Sequence, residues 1–369
     1  MAPERKGTCM DYYEPEQEAT RLKVIGIGGA GLNAVNAMIA AGLTGVEFLA
    51  VSTSTPRLRR SNAGIKIKIG LDTRGFGTGG NPEVGRRAIQ ESSQEITEQL
   101  TGADLVFLTA GLGGGTGTGA LPVIATLARK QGSLVAGIVT KPFSREGKHR
   151  QAQAEQGIRE LLPLVDCLIV IPNDRLIGMS TKGASLLEAF KPADDLLRQA
   201  VQGIVEIICE HGHINVDFSD VRTVLGAKGM AMMGIGSASG ENRAIEAANR
   251  AIQNPLLEDL DLQEAKGVLL NISGSSEMTL DEYDQVCRTV TGQLADDATV
   301  IVGMVVNDAL GDQMKVTVIA TGLKPPPGCE VVEKKGLERR FRLVDATAGE
   351  LDTPTFMRNR SQPPYPKDR

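Results

Sequence analysis

The sequence predicts an α/β protein: a doubly wound parallel-sheet domain, a long central helix, a second and smaller α/β domain, and a flexible C-terminal tail. Three observations carry this. Short apolar runs alternate with helix-period segments through the first half of the chain. Glycine-rich or polar loops follow the C-terminal ends of those apolar runs, and in a doubly wound sheet such loops gather along one edge, where ligands bind. A single helical pattern from Leu186 to about His211 then separates two stretches of different composition.

Leu22–Ile27 reads as a buried strand running into Gly28-Gly29-Ala30-Gly31. Ala34, Val35, Met38 and Ile39 then fall on one helical face, and Val46–Val51 is a second strand. Strand, helix and strand within about 30 residues make a βαβ unit, hence a parallel sheet. Leu105–Thr109 is the next strand; it ends in the glycine run 111–119, with a helix expected from about Leu121 to Lys130. Leu134–Val139 and Cys167–Ile171 follow, the latter ending at Pro172-Asn173-Asp174. The second half predicts one helix, Asn242–Gln253, and strands at Gly267–Ile272, Thr299–Val306 and Met314–Thr321. The last alternates apolar and polar residues, as a half-exposed strand does.

These elements divide the 369 residues as follows: a disordered extension over 1–20, a ligand-binding domain over 21–187, the central helix and its following loop over 188–221, and a smaller α/β domain over 222–322. Residues 323–349 read as a linker opened by Pro325-Pro326-Pro327, and 350–369 as a partner-docking tail. Residues 324–369 carry ten Lys/Arg against seven Asp/Glu, a net of +3. Since the whole chain carries −5, residues 1–323 carry −8. That acidic body argues against general nucleic-acid binding. Five scattered cysteines without a CxxC pair indicate neither a zinc cluster nor a disulfide framework, and fit a reducing cytoplasm. His211 and His213 make only two ligands, too few for a metal site. The polar start lacks the apolar core of a signal peptide, and no apolar run reaches membrane-spanning length. Met230, Met232 and Met233 read as core or interface packing, Cys9 and Cys329 as incidental thiols, and Arg57–Arg60 as a solvated surface.

Glycine runs at strand-to-helix turns bring backbone N–H groups against an anion, and the helix N-terminus favours negative charge. Gly28–Gly31 and Gly111–Gly119 are two such runs, and Gly75-Phe76-Gly77-Thr78-Gly79-Gly80 is a third loop able to close over a ligand. Three phosphate-type loops in one domain suggest a nucleotide with several phosphates. A Walker-type loop is excluded because no lysine follows the glycines. The dinucleotide fingerprint GxGxxG is present at Gly26–Gly31, but the acidic residue expected at the end of the next strand is replaced by Ser52-Thr53-Ser54.

The segment Gly113-Gly114-Gly115-Thr116-Gly117-Thr118-Gly119 resembles the signature loop of the tubulin/FtsZ superfamily, and the resemblance, closer to FtsZ than to tubulin, extends through most of residues 21–322. Supporting segments are Asn81-Pro82-Glu83-Val84-Gly85, Ile171–Leu176, Asn215–Val221 and Ala320-Thr321-Gly322. The resemblance implies a tubulin/FtsZ-type GTPase binding GTP or GDP, with Mg²⁺ held mainly by nucleotide and water. It assigns Gly28, Gly29 and Asn33 to the first phosphate loop. Gly77 and Gly79 fall in the covering loop, and Gly113, Gly114, Gly115, Thr116 and Gly117 around the β- and γ-phosphates. Thr140, Pro142, Glu146 and Arg150 match the ribose and phosphate loop, and Asn173 and Asp194 the guanine readers, with Phe190 beside the base. A carboxylate accepts from guanine's ring N–H and exocyclic amine, while adenine offers no such donor pair, so Asp194 is expected to select GTP over ATP.

Asn215, Asp217 and Asp220 are the expected hydrolytic group. Asp217 and Asp220, three residues apart, point the same way if their turn is helical, and two carboxylates can orient and polarise a water. They follow the central helix, whose 20–25 residues span over about 30 Å, so one molecule cannot bring them to its own phosphate loops. In FtsZ-like filaments the matching loop enters the next subunit's pocket, which implies head-to-tail self-assembly, an open heterologous contact. The resemblance further implies a cytoplasmic protein at a mid-cell division ring. Leu351–Arg358 resembles the family's C-terminal peptide, which docks on membrane anchors and division regulators.

Departures are also visible. Ser52-Thr53-Ser54 stands where the family usually has Asn-Thr-Asp, Leu32 where a glycine is usual, and Pro192 enters the first turn of the central helix, where proline is tolerated. The lost carboxylate keeps a second expectation open: a divergent relative that binds GTP and modulates filaments with little hydrolysis.

Overall fold

The structure, a computed structural model, describes residues 20–176, 186–209, 216–257 and 262–324, and gives 186–192 as backbone alone. Ten strands among these residues form one sheet. β1 (Leu22–Ile27), β2 (Val46–Ser52), β3 (Ile65–Lys68), β4 (Leu105–Gly111), β5 (Leu134–Lys141) and β6 (Cys167–Pro172) lie in the order β3-β2-β1-β4-β5-β6, all parallel. β7 (Met230–Ser239), β8 (Gly267–Gly274), β9 (Thr299–Val306) and β10 (Gln313–Leu323) extend it in the order β7-β10-β8-β9. β6 and β7 pair in parallel only at Leu168–Met230 and Ile169–Ala231, a narrow seam between the two halves. β10 runs antiparallel to both neighbours, and β8 and β9 are parallel.

The described helices are α1 (Gly28–Ala40), α2 (Thr55–Arg60), α3 (Pro82–Glu91), α4 (Ser93–Leu100), α5 (Gly115–Lys130), α6 (Lys148–Leu161), α7 (Asn173–Leu176), α8 (Leu186–Cys209), α9 (Phe218–Leu225), α10 (Arg243–Ile252) and α11 (Leu280–Thr291). Successive strand residues face opposite sides of the sheet. Leu22 and Val24 therefore join a core with α1, α8 and α9, while Ile25 and Ile27 join a second core with α3 to α6. The predicted βαβ order, the parallel first half and the long central helix are all present, and helices cover both faces.

Three expectations are corrected. The helix after β4 starts at Gly115 rather than near Leu121, so the glycine run itself forms its first turn. Glycine disfavours helix by about 1 kcal/mol per residue, but here it lets α3 approach α5: a Cβ on Gly119 would overlap the Pro82 carbonyl oxygen. β10 is a central strand, buried from Val316 to Thr321, rather than half exposed. Its polar residues are accommodated inside, since Thr321 Oγ1 donates to the Val224 carbonyl at 2.8 Å. The second half also holds β7, α9 and α11 in addition to the predicted helix and strands, and Met230 and Met233 are buried in β7, as packing residues should be.

Candidate functional site

Four loops, which follow β1, β2, β3 and β4, meet along the edge formed by the C-terminal ends of these strands. At the first, Gly28 has φ +69°, a left-handed turn that glycine adopts without penalty. A Cβ there would lie 3.3 Å from the Gly117 backbone N, so the first loop and the run at the start of α5 abut. Gly29 follows, and Asn33 lies one turn further along α1. At the second, the Ser52-Thr53-Ser54 turn is buried or nearly so, and the hydroxyls of Thr53 and Thr116 are hydrogen-bonded at 2.8 Å. The third, 75–80, leans on this turn: the Thr55 N–H donates to the Gly75 carbonyl at 3.2 Å, and Ser54 bridges Phe76. Gly77 and Gly79 in this loop have positive φ and open space around them.

The fourth loop divides its residues between two jobs. Gly113 has φ +85° and turns the chain beneath Pro142 and the Arg150 carbonyl. A Cβ on Gly115 would lie 2.7 Å from the Asn81 carbonyl oxygen, and one on Gly117 would lie 2.6 Å from the Gly111 oxygen. These two glycines therefore serve close packing. Gly114 has nothing within 4 Å of its would-be side chain. It caps α5, whose first-turn N–H groups have no intrahelical acceptor and a positive dipole end. Within Gly113–Gly119, Gly114 and Thr116 are the part-exposed members and the rest are buried.

The neighbouring loop after β5 is tied to the same edge. The Leu112 N–H donates to the Thr140 carbonyl at 2.9 Å. Glu146 accepts from the Phe143 N–H at 2.9 Å and pairs with Arg150 at 2.6 Å, while the Ser144 N–H donates to Asp174 at 2.9 Å. Asn173 opens α7 at the end of β6; it is buried, and its Oδ1 has no hydrogen-bond partner. An unpaired buried acceptor costs about 1–3 kcal/mol, a cost that a bound donor would remove. Asp194 lies on α8, and burial pushes its carboxyl up to about 6. Phe190 belongs to the backbone-only part of α8, and Asn215 lies outside the described residues, as do the histidine pair and the tail peptide.

Asp217 and Asp220 lie elsewhere. Asp217 caps α9 and Asp220 stands in its first turn, its N–H donating to the Asp217 carbonyl at 2.9 Å, so the two share the start of one helix. Both are exposed. In the same short helix, Arg222 donates to the Gly132 carbonyl at 3.4 Å, just before β5 begins, and Cys209 at the end of α8 donates to the Gly45 carbonyl, just before β2. The aspartates thus lie at the N-terminal edge of the sheet, opposite the glycine loops. The 24-residue α8 spans about 36 Å between the two edges.

Sequence reasoning missed two features. Thr53 was noted only as part of a departure, yet it contacts Thr116. Arg57 was read as solvated surface and is exposed, but its guanidinium rests on Gly29, where a Cβ would lie 2.8 Å from Cζ. Nothing local in the sequence signals that contact. Among the described residues no cluster of three or more acidic, histidine or cysteine side chains could hold a metal ion, and no helix is long and apolar enough to cross a membrane.

Glycine-lined loops at the carboxyl ends of a parallel sheet, with the buried and unpaired Asn173 at the end of β6, are the arrangement of the nucleotide-binding class of α/β proteins. Comparison with known proteins narrows this. The model of the tubulin/FtsZ family GTPase domain matches residues 21–181, and that of the FtsZ family C-terminal domain matches 229–324. An FtsZ from M. jannaschii, solved as an empty dimer, is 42% identical with a TM-score of 0.80, covering 83% of this chain and 89% of that one. CetZ2 from Haloferax volcanii, solved as a GTPγS-bound protofilament, shares the fold at 24% identity and TM-score 0.69, covering 83% and 94%. The chain belongs to the FtsZ family of tubulin-like GTPases.

Proposed function

We propose that this chain binds GTP along the glycine-loop edge, hydrolyses it, and polymerises head-to-tail, each subunit's Asp217 and Asp220 completing the site of its neighbour. The observation that carries the reading is the separation of the exposed aspartates from the phosphate loops by the length of α8. The two carboxylates orient and polarise the attacking water, with Asn215 beside them. The first-turn amides of α5 and the loops around Gly28, Gly29, Asn33, Gly77 and Gly79 hold the phosphates and stabilise the charge that develops on them. Thr140, Pro142, Glu146 and Arg150 flank the ribose. Asn173 and Asp194 read guanine, with Phe190 against the base.

The phosphate loops 28–31, 52–54, 75–80 and 111–117 offer hydroxyls and backbone groups but no carboxylate. That donor set suits a Mg²⁺ carried in on the nucleotide and its waters, where it would neutralise phosphate charge, rather than one fixed by the protein. The same missing carboxylate favours the second reading, a GTP-binding filament modulator with weak turnover. By the same resemblance we assign a cytoplasmic role at the division ring, with Leu351–Arg358 as the tether to membrane anchors and regulators. Turnover measured with GTP and with ATP, alongside light scattering, tests the reading. GTP-driven scattering with phosphate release supports it. Scattering without release selects the modulator, and equal use of ATP overturns the guanine assignment.

A further inference from the structure

Among the described residues the guanidinium of Arg57 has no counter-ion. It stands on Gly29 in the first phosphate loop, an approach that only a glycine allows, since a Cβ there would overlap Nη1 and lie 2.8 Å from Cζ. Among the described residues Arg57 makes no hydrogen bond or ion pair. The four loops around it contain no aspartate or glutamate that could supply one. An unpaired cation at an edge built from anion-seeking N–H groups is complementary to a ligand anion.

The sheet order identifies which part of the ligand it meets. The base-side residue Asn173 follows β6, and Arg57 follows β2, with β5, β4 and β1 between them. Strands stand about 4.8 Å apart, so from β6 to β1 the edge runs roughly 14 Å. A guanine held at the β6 end directs its phosphates toward β1 and β2, and the terminal phosphate reaches farthest. We propose that Arg57 is a phosphate-binding residue that grips the terminal phosphate of GTP through its planar fork of donors, supplying charge where the Ser52-Thr53-Ser54 turn supplies none. The proposal rests on the GTP reading above.

Calorimetric titration of the full chain with GTP and with GDP, each with Mg²⁺, tests it. Arg57→Ala should weaken GTP by about 10- to 100-fold, the range for a lost charge-assisted contact, and leave GDP unchanged. Arg57→Lys should fall between, because an ammonium keeps the charge without the fork. Arg59→Ala, an exposed arginine of the same helix, should match the wild type for both nucleotides and so control for net charge and for the integrity of α2. Wild-type GTP affinity in Arg57→Ala, or equal losses for GTP and GDP, overturns the proposal. A wild-type chain that binds neither nucleotide overturns the GTP reading itself, and this assignment with it.

Discussion

Two alanine substitutions in one glycine run should fail in opposite ways. At Gly119, a Cβ would stand 2.7 Å from the Arg86 backbone N and 2.9 Å from the Pro82 carbonyl carbon. Ordinary contacts between such atoms lie near 3.5 Å, so α3 must retreat by at least about 0.8 Å, and a gap of that size forfeits a quarter to a half of each facing contact. The face that retreats carries Gly85, Ala88 and Ile89, all buried. Overpacking of this kind costs about 1–3 kcal/mol, or more against rigid backbone. At roughly 2–4 °C per kcal/mol for a domain of this size, Gly119→Ala should lower the Tm by about 2–12 °C. Gly114 has extended backbone, φ −98° and ψ 173°, and open space. Gly114→Ala should therefore melt like the wild type yet lose at least about tenfold in GTP affinity, 1.4 kcal/mol, because its methyl group enters the phosphate groove. Thermal melts without nucleotide and equilibrium GTP binding measure both. A Gly119→Ala protein as stable as the wild type refutes the packing argument, and a Gly114→Ala protein that binds normally refutes the groove.

Two further predictions concern the carboxylates. Asp217→Asn with Asp220→Asn should leave GTP affinity unchanged while turnover falls by about 10²- to 10⁴-fold, the range for a lost general base; parallel loss of binding would mean the pair is structural. In the proposed guanine contact Asp194 accepts through both oxygens and so must be ionised, and burial raises its carboxyl to about 6. GTP affinity should therefore hold above pH 6 and fall about tenfold per unit below it, as binding comes to require proton release. The sign for stability is the reverse: a carboxyl raised above its unfolded value of 3.8 favours the fold most below that value, and the contribution is lost as pH rises through 6. Asp194→Asn should flatten the affinity profile; an unchanged slope would assign the titration to another group.

Much of this was legible in the chain. The first-half strands β1, β2, β4, β5 and β6 are near-continuous apolar runs, the pattern that burial on both faces imposes. The glycine loops were legible because phosphate binding and tight turns demand residues without a side chain. What each glycine does was not. Gly115, Gly117 and Gly119 answer to backbone that is distant in sequence or in an adjoining turn, and only the packed structure separates them from Gly114. β7 was missed for a related reason. Its Gly234 and Gly236 weaken a strand signal, yet a Cβ on Gly236 would lie 2.9 Å from the Arg250 carbonyl carbon, so α10 requires them. Met314–Thr321 looked half exposed because sequence does not show that a threonine hydroxyl has found a buried carbonyl. The contact of Arg57 with Gly29 depends on the turn between β2 and α2, which no local pattern encodes.

The central claim is that hydrolysis is completed between molecules, and GTP turnover per molecule measured against protein concentration tests it most directly. The account predicts negligible turnover below an assembly threshold and a rise to a plateau above it, in step with light scattering. A rate per molecule that stays flat through the onset of scattering would contradict it and return catalysis to the single chain.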